Sequence, residues 1–195
     1  VNMVFVRKNS PIQSLKDLRG KKLGVFGGTG STTFTFLAVL AQKWGGIDLF
    51  KETNLVSNAA PLLIEQLSKG QIDAALLGTT DTIQMVAQDR FRPLVDLSED
   101  YKAHQGGRAP AHVTIVTNEV FAKEHSDVVR DYLKAYKATL EFIHAHPGVW
   151  DEYVASIMMD DPKERMLLEQ KMGANLVEKW DDEQIAVQNE YLKLV

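Results

Sequence analysis

The order of hydrophobic and polar residues divides the chain into two parts. Up to about residue 110, compact apolar runs alternate with segments in which apolar residues recur every three or four positions. The compact runs are typical of buried strands and lie at 1–7, 23–26, 55–57, 72–77 and 93–97. Helical periodicity lies between them, at 15–18, 31–44, 60–69 and 80–88. Because strands alternate with helices, this part is predicted to form βαβ units on a largely parallel sheet that is covered on both faces.

The pattern changes beyond residue 110. Residues 112–117 alternate and predict one more strand, after which the sequence is helical to its end. The longest helix is predicted to be capped by Ser126, to keep its apolar residues on one face through Ile143, and to stop before Pro147. Shorter helices are predicted at 149–159, 163–172 and 181–194. The long apolar face needs a partner surface, and we expect a sheet upstream of this chain, or a neighbouring chain, to supply it.

Composition restricts the classes of function. Of the 195 residues, 45% are apolar and 25% are charged, as in ordinary globular proteins. The net charge is −4, without the basic stripe that a phosphate backbone requires, so we expect no nucleic-acid partner. The absence of cysteine removes disulfides, thiolate metal sites and a cysteine nucleophile, and it fits an exported protein as well as a cytosolic one.

Membrane spans and signal segments are not visible in the sequence. No stretch approaches the roughly 20 continuous apolar residues that cross a bilayer. The chain also does not open with the basic and then apolar segment of a secretory signal. Because the first residue is Val1 rather than methionine, we expect an upstream segment to have been removed.

A glycine-rich loop precedes the helix predicted at 31–44. Glycines at 27, 28 and 30 allow positive φ values and a close approach of the backbone to a ligand. The helix that follows offers unpaired N–H groups and the positive end of its dipole, so a sulfonate, carboxylate or phosphate would fit there. The predicted ligand-binding residues of this loop are Gly28, Thr29, Gly30, Ser31, Thr32 and Thr33. A simple helix cap remains an alternative, whereas the Walker lysine and the third glycine of a dinucleotide fingerprint are missing.

A second candidate segment follows the strand predicted at 72–77. Gly78, Thr79 and Thr80 should lie on the same carboxyl edge of the sheet as the first loop, where open α/β sheets bind ligands. Capping of the next helix by Thr80 or Asp81 is an equal alternative. His112 is the last candidate, because a histidine at the start of 112–117 could tune affinity with pH. Arg108, nearby, could pair with an anionic solute or be a solvated loop arginine.

Residues for catalysis or metal binding do not form a recognisable group. His144 and His146 are two positions apart on a predicted helix and point about 200° away from each other, which does not suit one metal ion. No carboxylate accompanies a nucleophile at a defined spacing, and Ser31 lacks the Gly-x-Ser-x-Gly elbow of hydrolases. We therefore predict a binding protein rather than an enzyme, with no metal and no cofactor.

Several segments carry a resemblance to one family. Residues 10–25, SPIQSLKDLRGKKLGV, resemble the entry into the second lobe of nitrate/sulfonate/taurine-type solute-binding proteins of ABC transporters. Further similar pieces are Gly30-Ser31-Thr32, LSKGQIDAA at 67–75, the strand at 112–117 and WDDE at 180–183. The resemblance covers nearly the whole chain but departs from the family upstream, because the N-terminal part of the first lobe has no counterpart here.

The resemblance implies an α/β, type II periplasmic-binding-protein-like fold. Residues 1–9 would hold a crossing strand, 10–110 the ligand-binding lobe, and 111–195 the return crossing and helices of an incomplete first lobe. The crossing strands would be Met3–Val6 and Val113–Val116. The function implied is capture of a small anionic solute such as a sulfonate, nitrate, taurine or a carboxylate, and its delivery to an ABC permease in the membrane. The location implied is periplasmic, or extracytoplasmic and membrane-associated.

Two alternatives remain open at this stage. Thiamine-pyrimidine synthases share this fold, but their chemistry needs a histidine and iron, and the chain has no clustered histidine motif. The effector domain of a transcription regulator also has two crossing strands, although a long helical tail fits that class poorly. Self-association through the apolar face of the long helix is a further hypothesis.

Overall fold

One mixed sheet organises the computed structural model, which describes residues 2–111, 113–157, 161–173 and 180–193. Its strands, in chain order, are β1 (Met3–Arg7), β2 (Lys22–Val25), β3 (Asn54–Ser57), β4 (Ala74–Leu77) and β5 (Phe91–Asp96). Across the sheet they are arranged as β3-β2-β4-β1-β5. β2 is parallel to β3 and β4, whereas β1 is antiparallel to both β4 and β5. All strands except β1 therefore run in one direction, which confirms the prediction of a largely parallel sheet.

The four helices predicted in the α/β part are present near their predicted bounds, and two further helices, Leu49–Glu52 and Leu97–Gln105, were not predicted. A short 3-10 helix (Leu15–Leu18) starts at Ser14, whose side chain and that of Asp17 form a capping box. The helices that follow up to residue 105 are α1 (Thr32–Lys43), α2 (Leu49–Glu52), α3 (Ala60–Ser68), α4 (Thr79–Ala87) and α5 (Leu97–Gln105). The later helices are α6 (Glu119–Glu124), α7 (Ser126–Ala145), α8 (Val149–Ser156), α9 (Pro162–Gly173) and α10 (Asp182–Leu192).

β1 lies between β4 and β5 in the sheet and contributes side chains to two apolar cores. Val4 and Val6 point to a core shared with α1, α5 and α10, whereas Met3 and Phe5 point to a core shared with α3 and α4. This alternation is the period-2 geometry of a strand that is buried on both faces. β1 is thus an integral strand of the lobe's sheet, and its role as a crossing between lobes stays a prediction.

Two segments differ from the sequence-based prediction. The polar stretch before Gly106 contains α5, which is capped by the side chain of Asp96 and ended by Gly106 with φ 85°. Residues 113–117 do not form the predicted strand, and Val113, Ile115 and Val116 are largely exposed. A strand needs a neighbour for its hydrogen bonds, and among the described strands none lies beside this segment.

α7 has the expected apolar face, but most of this face is uncovered. Leu140 is buried, whereas Leu133 is 59% exposed and Tyr136 is 39% exposed. Ser126 is the first residue of the helix rather than its cap, since His125 occupies the N-cap position. That an upstream sheet or a neighbouring chain covers this face stays a prediction.

The helices after α7 return to the lobe. Ile83 of α4, Val154 of α8 and Leu168 of α9 are buried together in a small third core. An ion pair of 3.0 Å between Lys171 Nζ and Asp96 Oδ2 adds a polar contact at the end of β5. α4 is therefore held from both sides, by the sheet and by α8 and α9.

Candidate functional site

The two glycine-containing loops begin side by side at the carboxyl edge of the sheet. β2 and β4 are adjacent and parallel, with Val25 opposite Leu76. The N–H of Phe26 continues this pairing by donating to the carbonyl of Leu76 at 3.2 Å. Because both strands end at the same level, α1 and α4 both begin beyond this one edge of the sheet, and they pack into the two different cores. The structure therefore brings together the two segments that the sequence predicted.

The first loop makes a tight turn at Gly27 and Gly28. Their φ values are 76° and 78°, a region that residues with a β-carbon rarely adopt. A Cβ on Gly27 would also lie 3.2 Å from Cβ of Ser31. The expectation of a positive φ is wrong for Gly30, which has none, although open space surrounds its α-carbon. Gly30 thus provides access to the loop rather than a special backbone conformation.

Ser31 is the cap of α1. Its Oγ accepts a hydrogen bond from the N–H of Phe34 at 3.2 Å, and its carbonyl accepts one from the Thr35 hydroxyl at 3.1 Å. Ser31 therefore does cap the helix, which was the alternative to ligand binding. Because Ser31 accepts in both hydrogen bonds, neither of them uses the hydrogen of its hydroxyl group. Thr32 and Thr29 are exposed beside it, and Thr33 is half-buried.

α4 begins without a side-chain cap. Gly78 occupies the N-cap position, so neither Thr80 nor Asp81 serves as the cap that the sequence allowed. Thr79 is half-buried and Thr80 is exposed in the first turn. Burial raises the pKa of the Asp81 carboxyl above its ordinary value. This carboxyl lies near Gly78, with Oδ2 4.0 Å from where a Cβ on that glycine would be.

Ser57 is a residue of this edge that the sequence-based prediction missed. It ends β3, the strand next to β2, and its Oγ lies 4.0 Å from where a Cβ on Gly28 would be. Its position directly after a predicted strand was the signal that could have found it.

A groove of about 310 Å³ extends from the first loop toward α10. Gly30 and Thr32 line it on one side. The other lining residues are Thr35, Ala111, Thr114, Gln188, Tyr191 and Leu192. The residues from 188 onward are so distant in sequence from the loop that no local motif connects them to it.

Arg108 forms ion pairs with two carboxylates at the start of α10. Its guanidinium lies 2.7 Å from Asp181 Oδ1 and 3.0 Å from Glu183 Oε2. The hydrogen bond with Asp181 raises the pKa of Arg108, and it lowers the pKa of the Asp181 carboxyl. Arg108 is therefore neither a solvated loop arginine nor a free cation for a solute. His112 lies outside the described residues, so its place in the site stays a prediction.

No group of three or more His, Asp or Glu side chains among the described residues could hold a metal ion. No described helix is long and apolar enough to cross a membrane. His146, one of the two histidines at the end of α7, has its Nδ1 2.9 Å from the carbonyl of Phe142 and stacks on that ring.

The fold is similar to that of solved solute-binding proteins. The periplasmic aliphatic sulphonate binding protein SsuA from Escherichia coli matches 99% of this chain with 62% of its own length, at 16% identity and a TM-score of 0.69. The alkanesulfonate-binding protein SsuA from Xanthomonas axonopodis pv. citri, bound to MOPS, matches 99% of this chain with 63% of its own, at 13% identity and a TM-score of 0.67. The chain thus spans less than two thirds of either protein.

The same fold also occurs in an enzyme. The desulfurization enzyme DSZB matches 99% of this chain with 68% of its own length, at 17% identity and a TM-score of 0.63. At such identities the likeness establishes the type II periplasmic-binding-protein-like fold and nothing finer. Among curated proteins, none matches the sequence. Residues 1–149 match the profile described as "NMT1/THI5 like", and the chain therefore belongs to the NMT1/THI5-like family.

Proposed function

We propose that the chain is the solute-binding component of an ABC uptake system and binds a small oxyanion at the carboxyl edge of its sheet. The observation that carries this proposal is that α1 and α4 both begin beyond the carboxyl ends of two adjacent parallel strands, where Phe26 of the first loop lies against Gly78 of the second. Each N-terminus has backbone N–H groups and the positive end of a helix dipole at this edge of the sheet.

The donors of the two loops differ in kind, and this supports binding of a group with several oxygens. On the α1 side, hydroxyls of Thr29 and Thr32 stand exposed beside the turn at Gly28. On the α4 side, Gly78 provides no capping side chain, and backbone N–H groups of the first turn would donate beside the exposed Thr80. A sulfonate, nitrate or carboxylate offers acceptors in more than one direction and can engage both sides. Each hydrogen bond to a charged group is worth about 1.5 to 3 kcal/mol.

The proposed solutes are sulfonates first, taurine among them, followed by nitrate and small carboxylates. The two SsuA proteins support this order, since one is an aliphatic sulphonate binding protein and the other an alkanesulfonate-binding protein. An ABC permease would receive the solute, and the protein would work in the periplasm or at the outer face of the membrane. A thiamine-pyrimidine precursor is the alternative ligand on this fold.

Isothermal titration calorimetry of the purified chain tests the proposal. The panel is ethanesulfonate, taurine, nitrate, acetate and an aminopyrimidine, each in a buffer without sulfonate groups. We expect saturable binding of at least one oxyanion, and a rise in melting temperature with its concentration. Binding of the aminopyrimidine alone would favour the alternative, and no binding by any member of the panel would contradict both.

A further inference from the structure

α10 lies along the backbone of the segment that follows α5. Gln184 Nε2 donates to the carbonyl of Ala109 at 3.2 Å. One helical turn further on, Gln188 Oε1 accepts a hydrogen bond from the N–H of Ala111 at 3.0 Å. Two side chains on one face of α10 thus bind backbone groups two residues apart, and these hydrogen bonds hold the segment against the helix.

The contact with Ala111 fixes the orientation of the Gln188 carboxamide. A backbone N–H can only donate, so the atom of Gln188 that faces it must be the oxygen. The NH2 group then lies on the opposite side of the carboxamide. In the part of the chain that the structure describes, no group accepts a hydrogen bond from this NH2.

Gln188 lines the same groove as the first loop of the candidate site. Gly30 and Thr32 border this groove at the N-terminus of α1, and Ala111 and Gln188 border it from the side of α10. The side chain of Gln188 is half-buried, so its contact with solvent is already reduced. A carboxamide in this position has two N–H donors available beside a helix N-terminus.

We propose that Gln188 is a ligand-binding residue, whose side-chain NH2 donates to the oxyanion held at the N-terminus of α1. This inference rests on the proposed function, because it names a further donor for the same ligand. It also assigns a role to α10: Ala111 orients the carboxamide, so that an element more than 150 positions from Gly30 in sequence completes the site. A neutral amide recognises the oxygens of the ligand without adding a fixed positive charge.

Nuclear magnetic resonance on the 15N-labelled full chain separates this inference from the proposed function. Ethanesulfonate is the probe, and the signals followed are the backbone amides of Gly30 and Thr32 and the side-chain NH2 of Gln188. We expect all of them to shift with one dissociation constant. Shifts of Gly30 and Thr32 with a stationary Gln188 NH2 would overturn the inference and leave the proposed function intact. No shift at all would overturn both.

Two charge variants on α10 provide the second test. Gln188→Glu keeps an oxygen for the N–H of Ala111 and replaces the NH2 donor by a carboxylate oxygen. We expect it to weaken ethanesulfonate binding at least ~10-fold, with an unchanged far-ultraviolet circular dichroism spectrum. Asn189→Asp adds the same charge at the next, exposed position and serves as the matched control. Equal losses in the two variants would show a general charge effect and overturn the inference, as would full affinity in Gln188→Glu.

Discussion

The ring of Phe26 lies against Gly78, so that a Cβ added to this glycine would stand 3.3 Å from Phe26 Cε1. The φ of Gly78 is −79°, which any residue can adopt, and the glycine is therefore required for space rather than for conformation. Phe26 follows β2 and Gly78 follows β4. Their contact joins the two loops of the candidate site where each loop begins.

We expect Gly78→Ala to weaken oxyanion binding by roughly tenfold, or about 1.4 kcal/mol, because the added methyl group displaces the ring of Phe26 and so changes the contact between the two loops. Stability should fall by less than about 1 kcal/mol, since Phe26 is 41% exposed and its ring can move. Calorimetric titration and thermal unfolding of the same samples measure the two effects. Gly148→Ala is the control, because that position has open space and a φ of −60°. Unchanged affinity in Gly78→Ala would mean that the spacing of the loops does not matter.

Ser31 allows capping to be separated from ligand binding. Ser31→Ala removes the acceptor for the N–H of Phe34 and should cost about 1 kcal/mol of unfolding free energy. Ser31→Asp keeps a capping oxygen and should be as stable as the wild type, yet its carboxylate would repel an anionic ligand. We therefore expect the two variants to differ in opposite ways. Ser31→Ala should be the less stable of the two, whereas Ser31→Asp should bind the oxyanion more weakly, by on the order of 30-fold or more.

Urea unfolding and calorimetry give both rankings for Ser31. If Ser31→Asp binds the oxyanion as well as the wild type does, the ligand does not lie at the N-terminus of α1. That outcome would remove the main support for the proposed site while leaving the role of Ser31 as a cap untouched.

The raised pKa of the Asp81 carboxyl predicts how ligand binding depends on pH. Burial raises the pKa of its carboxyl, so the charged form is disfavoured in the folded protein. The charged carboxyl therefore lowers the stability of the folded protein. This loss of stability is fully present when the pH is above the pKa of the folded state, and it disappears as the pH falls through that pKa. Loss of this negative charge near the N-terminus of α4 should also favour an anionic ligand. Affinity for ethanesulfonate should therefore rise as the pH is lowered from 7 toward 4.

Asp81→Asn should bind ethanesulfonate more tightly than the wild type at pH 7 and should lose this pH dependence. Asp127→Asn removes a carboxylate from the first turn of α7 instead and serves as the control. Binding curves at several pH values make the comparison, and the charge of a sulfonate does not change in this range. An Asp81→Asn variant that binds more weakly at pH 7 would show that the carboxylate helps the ligand, for example by accepting a hydrogen bond from it.

The sequence predicted those parts of the fold that local periodicity determines. Strands such as β4 are short apolar runs, and helices such as α1 have apolar residues at spacings of three and four, so both types were located within a few residues. Placement of the two loops at one edge followed from strand direction, because parallel strands end at the same side of a sheet. The contact between Phe26 and Gly78 could not be predicted, since it depends on the register of β2 and β4.

Other features depend on partners that local patterns do not identify. Residues 113–117 have the alternation of a strand, but pairing needs a neighbour that the described sheet does not supply. Arg108 and Asp181 are 73 positions apart, so only the folded arrangement shows that they form an ion pair. α5 was missed because few of its residues are apolar, although Asp96 and Gly106 mark its two ends.

Tyr101 of α5 provides a prediction about the core beneath the site. Its side chain is fully buried beside Phe36 and Trp44, and among the described residues none bonds its hydroxyl. A buried hydroxyl without a partner costs about 1 to 3 kcal/mol. Tyr101→Phe keeps the ring contacts and should raise the unfolding free energy by about 1 kcal/mol, whereas Tyr101→Leu should lower it because the aromatic contacts are lost. Urea unfolding measures both changes. A less stable Tyr101→Phe variant would mean that the hydroxyl does have a partner, such as an ordered water molecule, and that α5 is anchored to the core by a polar contact as well as by its ring.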